Sequence, residues 1–121
     1  MLDIFIPGKP IPKARPCISK QGRLYTPKRT KQWEAYVAMM LLKNKWKPRS
    51  KLPYKVELVF TVSPSSKADT DNLIKSVLDG CNQAWRYYGW DDVQVEEVIA
   101  KKITDKDPNK LGVRLRMEVM E

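Results

Sequence analysis

The sequence predicts an α/β fold of the α+β kind, a single domain spanning 1–121 in which helices cover a mixed β-sheet. Three observations lead there. Two segments repeat apolar residues at helical spacing, others alternate apolar and polar residues, and the order runs strand, hairpin, helix, strand, helix, strand, strand. The chain's 121 residues, 42% of them hydrophobic, suffice for one modest core.

Leu2 to Pro7 reads as a first strand with Ile4 and Ile6 on one face. Prolines 7, 10, 12 and 16 then forbid helix, so an extended arm follows. Its hairpin turns at Gln21-Gly22, where glycine can take positive φ. Thr26-Pro27 is suited to start a helix, with a capping hydroxyl and a proline at the first helical position; the helix should reach about Lys45. Trp33, Tyr36, Val37, Met40 and Leu41 recur at helical spacing and are expected in the core. Lys55 to Val62 is a strand with Val56, Leu58, Phe60 and Val62 on one face. A second helix should run from about Asn72 to Trp85, and Val93–Thr104 and Leu111–Met120 read as two further strands.

The net charge of +9 is unevenly spread. Residues 1–50 carry 12 Lys/Arg against Asp3 and Glu34, a net of +10, whereas residues 51–121 have a net of −1. A basic first half suits phosphate neutralisation, although a solubilising surface has the same composition. Lys13, Arg15, Lys20, Arg23, Lys28 and Arg29 are the candidate DNA phosphate contacts. Cys17 and Cys81 are too few and too distant for a disulfide framework or zinc motif. The absence of histidine removes imidazole catalysis and imidazole metal sites, leaving carboxylates, lysine and metal. No apolar run approaches the roughly 20 residues of a membrane span, and the N-terminus lacks signal-peptide features. The expected location is therefore the cytoplasm.

The chemistry concentrates in Asp69-Thr70-Asp71-Asn72-Leu73-Ile74-Lys75 and in Asp91-Asp92. On a helical wheel Leu73, Ile74, Val77, Leu78 and Cys81 share one side, while Asp71, Asn72, Lys75 and Asp79 share the other. Asp69, two residues before Asp71 in extended chain, can converge with it. Clustered carboxylates favour a hard cation, Mg²⁺ or Mn²⁺, and Asp91 or Asp92 could add a ligand from the start of the next strand. An ordinary helix start offers the same residues as a cap, a dipole partner and an exposed Asp71/Lys75/Asp79 ion-pair ladder.

Asp69-x-Asp71-Asn72-x-x-Lys75-x-x-x-Asp79, the later Trp90-Asp91-Asp92-x-Gln94-Val95 and the early Pro10-x-Pro12-Lys13-x-Arg15-Pro16 together resemble the RusA family of Holliday junction resolvases, crossover-junction endodeoxyribonucleases of bacteria and their prophages. The resemblance implies a RusA-like fold and a homodimer that nicks paired strands of four-way DNA with Mg²⁺ or Mn²⁺. It places the essential aspartates at Asp69, Asp71 and Asp92 and the active-site lysine at Lys75. Trp90 abuts Asp91 directly, where some members carry an intervening residue, so Asp91 stays an alternative ligand. Asp79 is read as orienting Lys75, and Gln94 as structural. Two rivals remain open: a non-catalytic nucleic-acid-binding domain, and a nuclease preferring flaps or forks.

Overall fold

A computed structural model describes all 121 residues. Its main sheet comprises β1 (Leu2–Pro7), β4 (Tyr54–Val62), β5 (Val95–Thr104) and β6 (Gly112–Val119), in the spatial order β1-β6-β4-β5. β6 lies antiparallel to both β1 and β4, whereas β5 runs parallel to β4. The mixed sheet expected from sequence is thus present.

Strict alternation built β4: Tyr54, Val56, Leu58, Phe60 and Val62 are all buried, against intermediate neighbours between them. Val113, Leu115 and Met117 of β6, with Leu2 and Ile6 of β1, extend the same apolar face. Helices α1 (Lys28–Lys43) and α2 (Thr70–Trp85) cover it. The opposite face of the sheet has no helix; there Arg114 and Arg116 pair with Asp3, and Arg116 also with Glu57.

α1 buries Trp33, Val37, Ala38 and Leu41, as its periodicity predicts. It begins one residue later than Thr26-Pro27 implied. Pro27 occupies the N-cap with extended geometry (φ −53°, ψ 142°), so the Thr26 hydroxyl caps nothing; at the other end the extended Asn44 stops the helix at Lys43, two residues short of Lys45. α2 starts two residues earlier than expected and buries Leu73, Ser76, Val77, Gly80, Cys81, Ala84 and Trp85. Its buried face is wider than the apolar residues alone indicated, because Gly80 meets α1. A Cβ added at Gly80 would stand 2.7 Å from Val37 Cγ1, so glycine here sets the distance between the helices.

The arm contains β2 (Cys17–Ile18) and β3 (Leu24–Tyr25), paired antiparallel around a turn in which Gly22 has φ +77°. A 3₁₀ turn occupies Asp92–Gln94, which is why β5 begins at Val95 rather than Val93. Trp46, Tyr54, Trp85 and Trp90 stack edge to face beneath this end of the sheet, and Trp90 Nε1 donates to Asn82 Oδ1 at 3.0 Å.

Candidate active site

The parallel β4-α2-β5 crossover determines where the acids lie. β4 delivers the chain to Asp69 at its carboxyl end. α2 then runs back, and β5 restarts with Val95 opposite Tyr54, at the amino end of β4. Asp69 and Asp71 therefore stand at one end of α2, and Asp91 and Asp92 at the other. Asp92 lies close enough to Cys81 that, after burial itself, its charge helps push that thiol up to about 12. From Asp69 to Cys81 the helix climbs roughly 18 Å at 1.5 Å per residue.

Within this chain the acidic run and the later acid pair thus stand at opposite ends of α2. Ligand-bearing edges of open sheets are the carboxyl ends of strands, whereas Asp92 precedes β5 at the amino edge. No group of three or more Asp, Glu, Cys or His side chains in the chain is arranged to hold a metal ion.

The eight aspartates divide by what their side chains do. Asp3 binds arginines, Asp79 binds Lys13, Asp91 accepts from the Val93 amide at 3.0 Å, and Asp105 and Asp107 accept from the amides of Asp107 and Asn109. The side chains of Asp69, Asp71 and Asp92 make no hydrogen bond or ion pair. Asp69 sits at the N-cap of α2 (φ −77°, ψ 140°) without a side-chain cap bond, so the capped-helix alternative fails for it. Thr70 lies inside the helix and is no cap.

Lys75 is exposed one turn after Asp71 and contacts no carboxylate. The expected ladder is absent because Asp79 turns instead to Lys13, 3.0 Å away. Asp79 thus does not orient Lys75. Lys13, expected on phosphate, is held between Asp79 and Glu34 (3.2 Å), while its amide donates to the Asn72 carbonyl at 2.8 Å. It fastens the arm across both helices. Burial opposes its charge, but hydrogen bonds to Asp79 and Glu34 and their attraction outweigh this and hold its pKa above the ordinary value. Arg15, Lys20, Arg23, Lys28 and Arg29 are exposed and have no acidic partner.

Asp91 and Gln94 form a reciprocal capping box, and Gln94 Nε2 also donates to the carbonyls of Arg49 and Leu52 at 3.0 Å each. These residues shape the loop that presents Asp92. Sequence reasoning missed Lys102, whose Nζ donates to the Ala68 carbonyl at 2.8 Å and fixes the approach to Asp69. Its only signal was a lysine on the helix-facing side of an edge strand, aligned with Phe60.

Residues 7–116 match the family of endodeoxyribonuclease RusA. The chain belongs to the RusA family. The match takes in both acidic segments, the arm and most of the sheet, and makes the protein a nuclease of a family that acts on branched DNA. A search of curated proteins finds no match. No helix is long and apolar enough to cross a membrane. RusA-type nucleases generally depend on a divalent metal. The free donors at Asp69, Asp71 and Asp92 are all carboxylate oxygens, a set whose hardness suits Mg²⁺ or Mn²⁺, although one chain does not assemble them.

Proposed function

We propose that the protein is a divalent-metal-dependent resolvase that nicks paired strands of a four-way DNA junction as a two-fold homodimer, in recombination and repair. The observation that carries this is the division of the aspartates: the three left without structural work are Asp69, Asp71 and Asp92.

Because α2 separates Asp69 and Asp71 from Asp92, the active site is completed between protomers. Two α2 helices set antiparallel about a two-fold axis would bring the partner's Asp92 to Asp69 and Asp71, and the same operation completes a second site at the other end. An apolar patch supports a covered helix layer: Met39 and Leu42 are 47% and 48% exposed beside Gln83 of α2. Two sites separated by about one helix length match the two symmetric cuts that a junction requires.

Asp69, Asp71 and the partner's Asp92 would hold Mg²⁺ or Mn²⁺, which when bound lowers the pKa of an attacking water and neutralises the phosphate. Lys75, free of acidic partners, places its ammonium where negative charge grows as the 3′ oxygen leaves. Asp91 shapes the loop rather than binding. Arg15, Lys20, Arg23, Lys28 and Arg29 neutralise flanking phosphates.

Cleavage of a mobile four-way junction by Asp71→Asn tests the reading, beside flap and fork substrates for the wild type. Loss of junction cleavage with retained binding is expected. Wild-type rates in the variant, or a wild type that binds junctions and never cuts in Mg²⁺, would overturn it.

A further inference from the structure

The loop between β4 and α2 folds upon itself. The Ser66 amide donates to the Ser63 carbonyl at 3.0 Å, Ser66 Oγ accepts from the Ala68 amide at 3.3 Å, and the Ser63 and Ser65 hydroxyls lie 3.3 Å apart. Between this loop, the start of the arm and the first turn of α1 opens a cleft of about 330 Å³. Lys9, Arg29 and Lys67 line it from three separate segments, with the three serines on one wall.

No carboxylate lines this cleft, and none of the three cations has an acidic partner. Three like charges gathered without a counter-charge repel one another unless an anion joins them. Hydroxyls and cations together are the donor set that takes phosphate oxygens. The volume falls in the range of roughly 300–1,000 Å³ typical of small-molecule sites, enough for a nucleotide unit rather than an ion alone. Ala68, on the cleft wall, immediately precedes Asp69, and Lys102 holds its carbonyl. The cleft and the acidic run are therefore adjacent along the chain.

We infer that this cleft is a subsite for a backbone phosphate of the strand being cut, next along that strand from the phosphate presented to Asp69 and Asp71. The inference rests on the nuclease reading above. Lys67 and Arg29 supply the charge, the serines supply neutral donors, and the strand is gripped independently of its base sequence. The grip sets which phosphodiester reaches the carboxylates.

The test measures metal-free binding of the full chain to four-way junctions in which single phosphates around the exchange point are replaced by neutral methylphosphonates. In the wild type, one position per cut strand should weaken binding about tenfold, as expected for losing a charged phosphate contact. In a Lys67→Ala/Arg29→Ala double variant the same replacement should cost less than about twofold, and the slope of log affinity against log salt should fall by about 1 to 2. A penalty that remains equally large in the double variant at every position overturns the subsite. Metal-dependent cleavage is scored separately: coupling without cutting removes the nuclease reading and keeps the subsite, and cutting without coupling does the reverse.

Discussion

The ammonium of Lys13 lies 3.0 Å from the Asp79 carboxylate, and this contact anchors the otherwise extended arm to the outer face of the helix pair. Glu34 of α1 completes the anchor from the other side. Lys13→Met should cost about 1 kcal/mol, the scale of a partly exposed charged hydrogen bond, read as a lower denaturant midpoint. The pH dependence follows from the raised pKa. The contribution is fully present below the unfolded lysine's value, near 10.5, and fades as pH rises through the higher folded value. Wild type and Lys13→Met should therefore converge in stability at strongly alkaline pH; a gap constant through that range would contradict the anchor.

Gly80→Ala should destabilise the protein by about 1–3 kcal/mol, the usual cost of overpacking, because the new methyl meets Val37 at 2.7 Å. Val37→Ala in the same chain should recover part of that loss. Additive losses measured by chemical denaturation would mean that the helices do not touch here as described.

Asp91 and Asp92 should separate by phenotype. Asp91→Ala removes a cap and should cost about 1 kcal/mol of stability, with cleavage reduced only as far as the loop loosens. Asp92→Asn touches no internal partner, so its melting temperature should stay near wild type while junction cleavage is lost. The opposite pattern would move the ligand to Asp91.

Much of this arrangement could be read from the residues in order. The alternation in Lys55 to Val62, the helical spacing from Trp33 to Leu41 and the glycine at position 22 each encode a local choice, and each element formed. What local pattern does not encode is which strands become neighbours. The direction of the crossover, parallel from β4 to β5, arises from packing and sets Asp92 at the amino edge of the sheet, whereas its distance from Asp69 follows already from the length of α2. The partner of Asp79 escaped for the same reason. A lysine four residues away on the helix is visible in sequence, whereas Lys13, 66 positions earlier, becomes the nearer cation only when the arm folds over. Gly80 looked like a weak helix residue until α1 lay against it.

The division of the acids between the two ends of α2 makes complementation the most direct test of the active site. Asp71→Asn and Asp92→Asn should each be inactive on a four-way junction. Mixed and allowed to exchange subunits, they form heterodimers in which one site has lost both acids and the other has all of its acids intact. The mixture should regain metal-dependent nicking of one strand per junction without paired cleavage. If each variant is inactive, the wild type cuts, subunits exchange, and the mixture still does nothing, then the site is contained within one chain and the composite arrangement is wrong.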